Sequence, residues 1–329
     1  MKLRVATRRS NLALTQMRAF TAQLVALHPH VHVEEVHVTT LGDRVTDKPL
    51  AAIGGKGLFV SEVEACVSRG EADFAVHSLK DVPGDVELAE GMALVCLPLR
   101  EDPHDVLLTR DGIDLMSLTA GARVGTTSLR RVAQLHVQRP DLHYATLRGN
   151  VETRLSKLDS GEFDAIVLAA AGLRRLGLLG SRPHQVLDRE LCLPAVGQGT
   201  LAVEARADNR ALIDLLSPLE DPTTRLVTEA ERELLRCLQG SCRVPLAGHA
   251  MLDAVSGRLR LDGFVGGVET DETLAGCSEI YLKGRTPEAR CEEARALGRE
   301  VAEGLIARGA QRLMREAEAA VLRRERTSN

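Results

Sequence analysis

An α/β architecture, with two lobes on mixed sheets and a smaller C-terminal α+β domain, follows from three features of the 329-residue sequence. Strand-like and helix-like patterns alternate from the N-terminus. The alternation restarts after Arg100-Glu101-Asp102-Pro103. From Asp221-Pro222 the character changes to long charged helices with a few strands between them. Length agrees, since one domain per roughly 150 residues gives two or three domains.

The elements follow in order. Lys2 to Arg8 alternates as a strand and runs into Ser10, a good N-cap. Ala13, Met17, Phe20, Leu24 and Leu27 then repeat at steps of four and three, the stripe of an amphipathic helix. Val31 to Val38 is the next strand. The turn Gly54-Gly55-Lys56-Gly57 opens a helix with Phe59, Val63, Cys66 and Val67 on one face, and Ala72 to Leu79 and Met92 to Leu97 are strands. In the second half, Arg123 to Gly125 ends a short strand, Thr126-Thr127-Ser128 caps a helix to about Gln138, Leu142 to Leu147 is a strand, Val151 to Leu158 a helix and Phe163 to Ala169 an apolar strand. Thr200 to Ala205 is expected to return to the first lobe. A helix from Asp221 to Leu238, two strands around Ser256-Gly257, a strand near Glu279 to Leu282 and a long helix from Pro287 complete the chain, and Arg323 to Asn329 reads as frayed. The expected domains are 1–99 with 200–217, 100–199, and 218–329.

Composition narrows the function. The longest apolar run, Ala165 to Leu173, is far short of the roughly 18–20 residues of a membrane span. The first ten residues lack an apolar secretory core, so the cytosol is the expected compartment. Seven cysteines form no CxxC pair, which argues against a disulfide scaffold and against a metal site. Of the 42 basic residues 36 are Arg, and between Arg123 and Arg175 nine basic residues face five acids in a chain of net charge −4. Arg carries a planar fork that matches carboxylate or phosphate, so the cluster points to an anionic ligand. Nucleic acid fits poorly, because the chain is net acidic and has no Trp and only five Phe and two Tyr.

Both halves place Thr, Ser and Arg where a strand meets a helix N-terminus, at Ala6-Thr7-Arg8-Arg9-Ser10 and Gly125-Thr126-Thr127-Ser128-Leu129-Arg130-Arg131. Free N–H groups and the positive dipole end make such starts anion sites. Lys56 lacks the following Ser or Thr of a phosphate loop, so its turn reads as a hinge with a cation available. His77-Ser78-Leu79-Lys80-Asp81-Val82-Pro83 puts an ammonium and a carboxylate at a strand end, the usual place for ligand residues in α/β sheets. Cys242 lies in Gly240-Ser241-Cys242-Arg243-Val244-Pro245, where a neighbouring cation favours the thiolate, while the other cysteines mostly read as core.

These stretches, together with Gly54 to Phe59, Leu147-Arg148-Gly149-Asn150, Thr153-Arg154, Ala171-Gly172-Leu173 with Arg175, and Leu193 to Gly199, resemble the hydroxymethylbilane synthase, or porphobilinogen deaminase, family to about residue 250. Thr127 and Ser241 depart from its usual Ser and Gly. The resemblance implies two periplasmic-binding-protein-like lobes with mixed sheets plus the C-terminal domain. It implies that four porphobilinogen molecules are deaminated and joined head to tail on a dipyrromethane cofactor, then released by water as hydroxymethylbilane. Cys242 matches the thioether attachment and Asp81 the catalytic carboxylate. Lys80, Ser128, Arg130 and Arg131 match cofactor contacts, and Arg8, Ser10, Lys56, Phe59, Arg148, Arg154, Arg175 and Gln198 match substrate contacts. The implied protein is a monomer. Read from the residues alone, a two-lobed solute-binding module and a thiol-dependent transferase using Cys242 remain rivals.

Overall fold

The computed structural model describes residues 1–40, 57, 60–84, 88–239 and 244–327. The first lobe begins with β1 (Lys2–Arg8), α1 (Asn11–Leu27) and β2 (His32–Val38). Ser10 caps α1 by accepting from Ala13 N, and Met17, Phe20 and Leu24 of the expected stripe are buried. Next come α2 (Ser61–Ser68), β3 (Phe74–Ser78), a 3-10 turn over Leu79–Asp81, and β4 (Met92–Cys96).

The second lobe holds β5 (Asp105–Thr109), β6 (Arg123–Gly125), α3 (Leu129–Gln138), β7 (His143–Ala145), α4 (Val151–Asp159), β8 (Ala165–Ala169), α5 (Ala170–Arg175) and β9 (His184–Leu187). β10 (Leu201–Arg206) then rejoins the first sheet, as expected, and is followed by α6 (Arg210–Leu216).

The two sheets share one plan. Their orders are β2-β1-β3-β10-β4 and β7-β6-β8-β5-β9. In each, four strands run in one direction, and the strand entering from the other lobe lies antiparallel to its two neighbours. The doubled pattern in the sequence is therefore a doubled topology. The two crossing segments touch where Glu101 N donates to Gly199 O at 3.2 Å. Gly199 sits at φ +90, and a Cβ there would collide with the Glu101 carbonyl, so only glycine fits the crossing.

The third unit joins α7 (Pro222–Leu238) to an antiparallel sheet of β11 (Leu246–Asp253), β12 (Arg258–Gly266) and β13 (Thr273–Tyr281), and ends in α8 (Pro287–Ala307) and α9 (Ala310–Thr327). Asp221 caps α7 by accepting from Thr224 N, Pro222 opens it, and Gln239 closes it at φ 53. Leu226, Ala230 and Leu234 bury against Leu259, Leu261, Leu297 and Leu305, each fully covered leucine contributing roughly 1.5–3 kcal/mol.

Several expectations are corrected. The last strand is longer than Glu279 to Leu282 and starts at Thr273, because it pairs residue for residue with β12. The tail expected to fray from Arg323 stays helical through Thr327. Leu313, Met314, Ala317 and Ala320 form a buried stripe on α9, and Arg323 pairs with Glu269 at 2.6 Å. Strands β5 and β9 carry no clear alternation and were not read from the sequence. Cys66, Cys96 and Cys192 are buried as expected, whereas Cys277 is exposed on β13.

The third unit grips the crossing between lobes. Buried Glu231 of α7 accepts from Arg100 Nη1 at 2.6 Å, Gly197 N at 2.7 Å and Ala250 N at 2.9 Å. Burial alone would raise this carboxyl, but Arg100 and His249 outweigh it and hold the group down at about 2.

Candidate active site

β3 is buried along its length, and the chain turns sharply after it because Leu79, itself buried, donates its N–H to Thr200 O at 2.9 Å. That anchor leaves the next two side chains, Lys80 and Asp81, facing outward at the strand end. Lys80 Nζ donates to Gln198 Oε1 at 3.2 Å. Gln198 is buried, and its Nε2 donates to Pro103 O at 2.7 Å and to Asp105 Oδ1 at 2.9 Å.

Asp105 holds two arginines. Arg130 Nη2 donates to Oδ2 and Arg131 Nη2 to Oδ1, each at 2.7 Å. Burial by itself would raise the Asp105 carboxyl, but the two guanidinium groups keep it well below the usual carboxylate range. Arg130 Nη1 also donates to Leu193 O, so this side chain braces the second lobe internally. Arg131 differs, because its Nε is buried without a hydrogen-bond partner. A buried donor left open in a cleft is a place for a ligand acceptor.

The remaining expected cations converge here. Arg154 donates its Nε to Gly149 O at 2.8 Å; burial pushes its guanidinium down to about 10, with Arg131 and Arg148 adding like-charge repulsion. Arg175 donates to Gly199 O at 2.6 Å and is lowered by burial. Lys80 is open to solvent yet deep in the cleft, and the protein crowded around it pushes its ammonium down to about 8, with Asp81 opposing and Arg131 reinforcing the shift. Cations lowered in this way lack enough anionic partners within the protein. The cleft therefore fits a ligand bearing several carboxylates.

Ser128 precedes α3 without capping it, so its hydroxyl is not spent on the helix. Arg8, Ser10 and Asp81 line one cavity of about 60 Å³ together with His77 and Gln16. Asn11 Nδ2 reaches across the cleft to Glu152 Oε1 at 2.6 Å, so the start of α1 and the helix that carries Arg154 face each other.

Lys80, Gln198, Arg130, Arg131, Arg148, Arg154 and Arg175 are thus brought to one cleft, with Arg8, Ser10 and Asp81 at the adjoining cavity. Lys56, Phe59 and Cys242 lie outside the described residues. Sequence reasoning missed Asp105, the acid that orders the arginine pair. Its only signal was an acid opening the apolar run Val106 to Leu108.

The helix that leads to Cys242 is anchored to the Asp81 turn. Arg232 of α7 donates to Val82 O at 3.4 Å and Pro83 O at 3.1 Å, and Leu235 packs where a side chain on Gly84 would sit. α7 runs from these contacts to Gln239, three residues before Cys242.

The family model for the porphobilinogen deaminase dipyrromethane cofactor binding domain matches residues 3–214, and that for the porphobilinogen deaminase C-terminal domain matches residues 226–307. The chain belongs to the porphobilinogen deaminase family. It is thus a transferase of tetrapyrrole biosynthesis with dipyrromethane as its cofactor. The porphobilinogen deaminase of Syntrophobacter fumaroxidans is 46% identical over 314 residues, 95% of this chain and 97% of that one. That of Chromobacterium violaceum is 47% identical over 313 residues, again 95% and 97%. Among solved structures, the periplasmic VFT2 domain of Bordetella pertussis BvgS covers 65% of this chain and 85% of its own at 17% identity and a TM-score of 0.37. Among the described residues no helix is long and apolar enough to cross a membrane.

Proposed function

We propose that this chain performs hydroxymethylbilane synthesis with Asp81 as the catalytic carboxylate and Cys242 as the thioether anchor of the cofactor. Four porphobilinogen molecules are deaminated and joined head to tail, and water releases the linear tetrapyrrole. The surplus of desolvated cations in the cleft carries this reading. Each pyrrole bears an acetate and a propionate, so two cofactor rings and four added rings bring about twelve carboxylates into the cleft.

The dipyrromethane supplies a pyrrole α-carbon as the nucleophile on which the product grows. Lys80, Ser128, Arg130 and Arg131 hold its carboxylates, with the open Nε of Arg131 the donor best placed to receive one. Arg8, Ser10, Lys56, Arg148, Arg154 and Arg175 hold those of the substrate, with Phe59 and Gln198 as its further contacts. Asp81 accepts a hydrogen bond from the aminomethyl ammonium of porphobilinogen and stabilises the positive charge that spreads over the pyrrole as ammonia leaves. It then takes the proton that the attacked pyrrole carbon gives up. Desolvated arginines bind carboxylates more strongly than exposed ones, and distributing the load over many of them suits a site whose occupant lengthens at each cycle.

Strand membership supports domains at 1–99 with 200–217, 100–199 and 218–329, and the anchoring of α7 at Val82 and Pro83 supports Cys242 facing Asp81. The enzyme is further read as a cytosolic monomer that binds neither nucleic acid nor membrane.

The intact mass of the denatured protein tests this. An excess of two linked pyrrole units on the Cys242 peptide is expected. An unmodified mass that persists after incubation with porphobilinogen removes the covalent scheme.

A further inference from the structure

Two carboxyls and an imidazole lie behind the Asp81 turn and take no part in the scheme above. His77 Nε2 of β3 and Glu204 Oε2 of β10 are 2.9 Å apart, with side-chain exposures of 4% and 0%. They share a face because the antiparallel pairing sets Ala202 opposite His77 and Glu204 opposite Ala75. The other oxygen, Glu204 Oε1, is buried without a hydrogen-bond partner.

Glu64 of α2 packs beside Glu204, and burial, reinforced by that neighbouring carboxylate, raises the Glu64 carboxyl to about 7. A protonated Glu64 is the donor that Oε1 lacks, so the pair stores one proton near neutrality. His77 lines a cavity of about 60 Å³ with Arg8, Ser10, Gln16 and Asp81, and Nδ1 is its ring nitrogen not engaged by Glu204. That volume holds a water, and the wall is polar on several sides.

We propose that Glu64, Glu204 and His77 form a proton-holding chain that ends in the cavity beside Asp81 and resets the protonation of that carboxylate in each cycle. The idea rests on Asp81 being the catalytic carboxylate. When Asp81 carries the proton taken from the pyrrole carbon, a cavity water passes a proton to His77 Nδ1 while the Nε2 proton moves to Glu204. Asp81 is left ionised and Glu204 protonated; once the C–N bond has broken, the reverse transfer returns the proton to the freed ammonia, which leaves as ammonium. Within the chain Glu64 from α2 and His77 from β3 face Glu204 from β10, and the charged groups that line the cavity with His77 are Arg8 from β1 and Asp81 from the turn. His77 and Glu204 act through Asp81 and are positioning residues.

The test is the pH profile of kcat for Glu64→Gln and His77→Asn holoenzymes, each shown by intact mass to carry its cofactor. In the parent, kcat is expected to bend near pH 7, where Glu64 loses its proton. In Glu64→Gln the bend disappears, with KM within about twofold of the parent, because the amide donates to Oε1 at every pH. In His77→Asn, kcat falls by about tenfold or more at unchanged KM. A bend retained in Glu64→Gln, or parental kcat in His77→Asn, overturns the proposal. If His77→Asn does not fold, the half-buried Glu64→Gln decides by itself. Asp81→Asn assayed alongside separates the two ideas: undiminished turnover there removes the Asp81 assignment, whereas an inactive Asp81→Asn with the bend retained in Glu64→Gln removes only the chain.

Discussion

Gln198 Nε2 donates to Asp105 Oδ1 at 2.9 Å, and the same amide accepts from Lys80 through its oxygen at 3.2 Å. One side chain on a crossing segment thereby joins the Asp81 turn of the first lobe to the arginine pair of the second. Lobe position and cleft electrostatics are coupled at this point, and Asp105 is the fixed end of the linkage.

Replacing Asp105 by Asn therefore affects more than one contact. It leaves Arg130 and Arg131 buried without their counter-ion, a change that costs about 3–5 kcal/mol in comparable buried pairs. Urea denaturation is expected to show that loss. A midpoint equal to the parent's at equal slope contradicts the role given to Asp105.

Asp81→Asn removes the carboxylate and keeps the shape of an exposed side chain. Turnover is expected to fall by roughly 10²–10⁴-fold, with thermal stability and the cofactor mass unchanged. Turnover within a factor of a few of the parent refutes the assignment.

Glu231 gives an acid-stability signature. Its carboxyl is depressed from 4.5 to about 2 in the folded protein, so its contribution is complete above its unfolded value and is lost as pH falls through about 2. Glu231→Gln is expected to be less stable at pH 7 and to show a flatter decline between pH 4.5 and 2. Parallel stability curves for the two proteins over that interval count against the assignment.

Lys80 gives the opposite dependence. The protein crowded around it lowers its ammonium to about 8, so its positive charge is present below that pH and lost above it. In the cofactor-free Cys242→Ala protein, calorimetric binding of porphobilinogen is expected to weaken from pH 7 to 9. Adding Lys80→Arg should flatten this trend, since guanidinium stays charged throughout. Equal weakening in both proteins assigns the effect elsewhere.

Much of this molecule was legible along the chain. The spacing of Met17, Phe20 and Leu24, the cap at Ser10 and the apolar run through Ile166 and Val167 state their local structure, because periodicity and capping act within a few residues. The ordered motifs around Asp81 and Cys242 carried the chemistry for the same reason, being contiguous. The short strands β5 and β9 were not legible: β5 is buried along all five residues between two neighbours and has no alternation to read, and β9, at the sheet edge, is only four residues long. Nor was the helix through Thr327, whose apolar stripe is thin and charged on its other faces.

Composition and motif order thus set the two-lobed α/β plan, the anionic ligand and the family's chemistry before any coordinates. Three things came only with the folded chain: that Asp105 pins Arg130 and Arg131, that Glu231 joins three parts of the molecule, and that His77, Glu204 and Glu64 share one buried cluster. Each depends on residues between 13 and 140 positions apart. Such pairings carry no local pattern; they form when sheet register and helix packing remove these groups from water and leave each polar atom dependent on the few partners in reach.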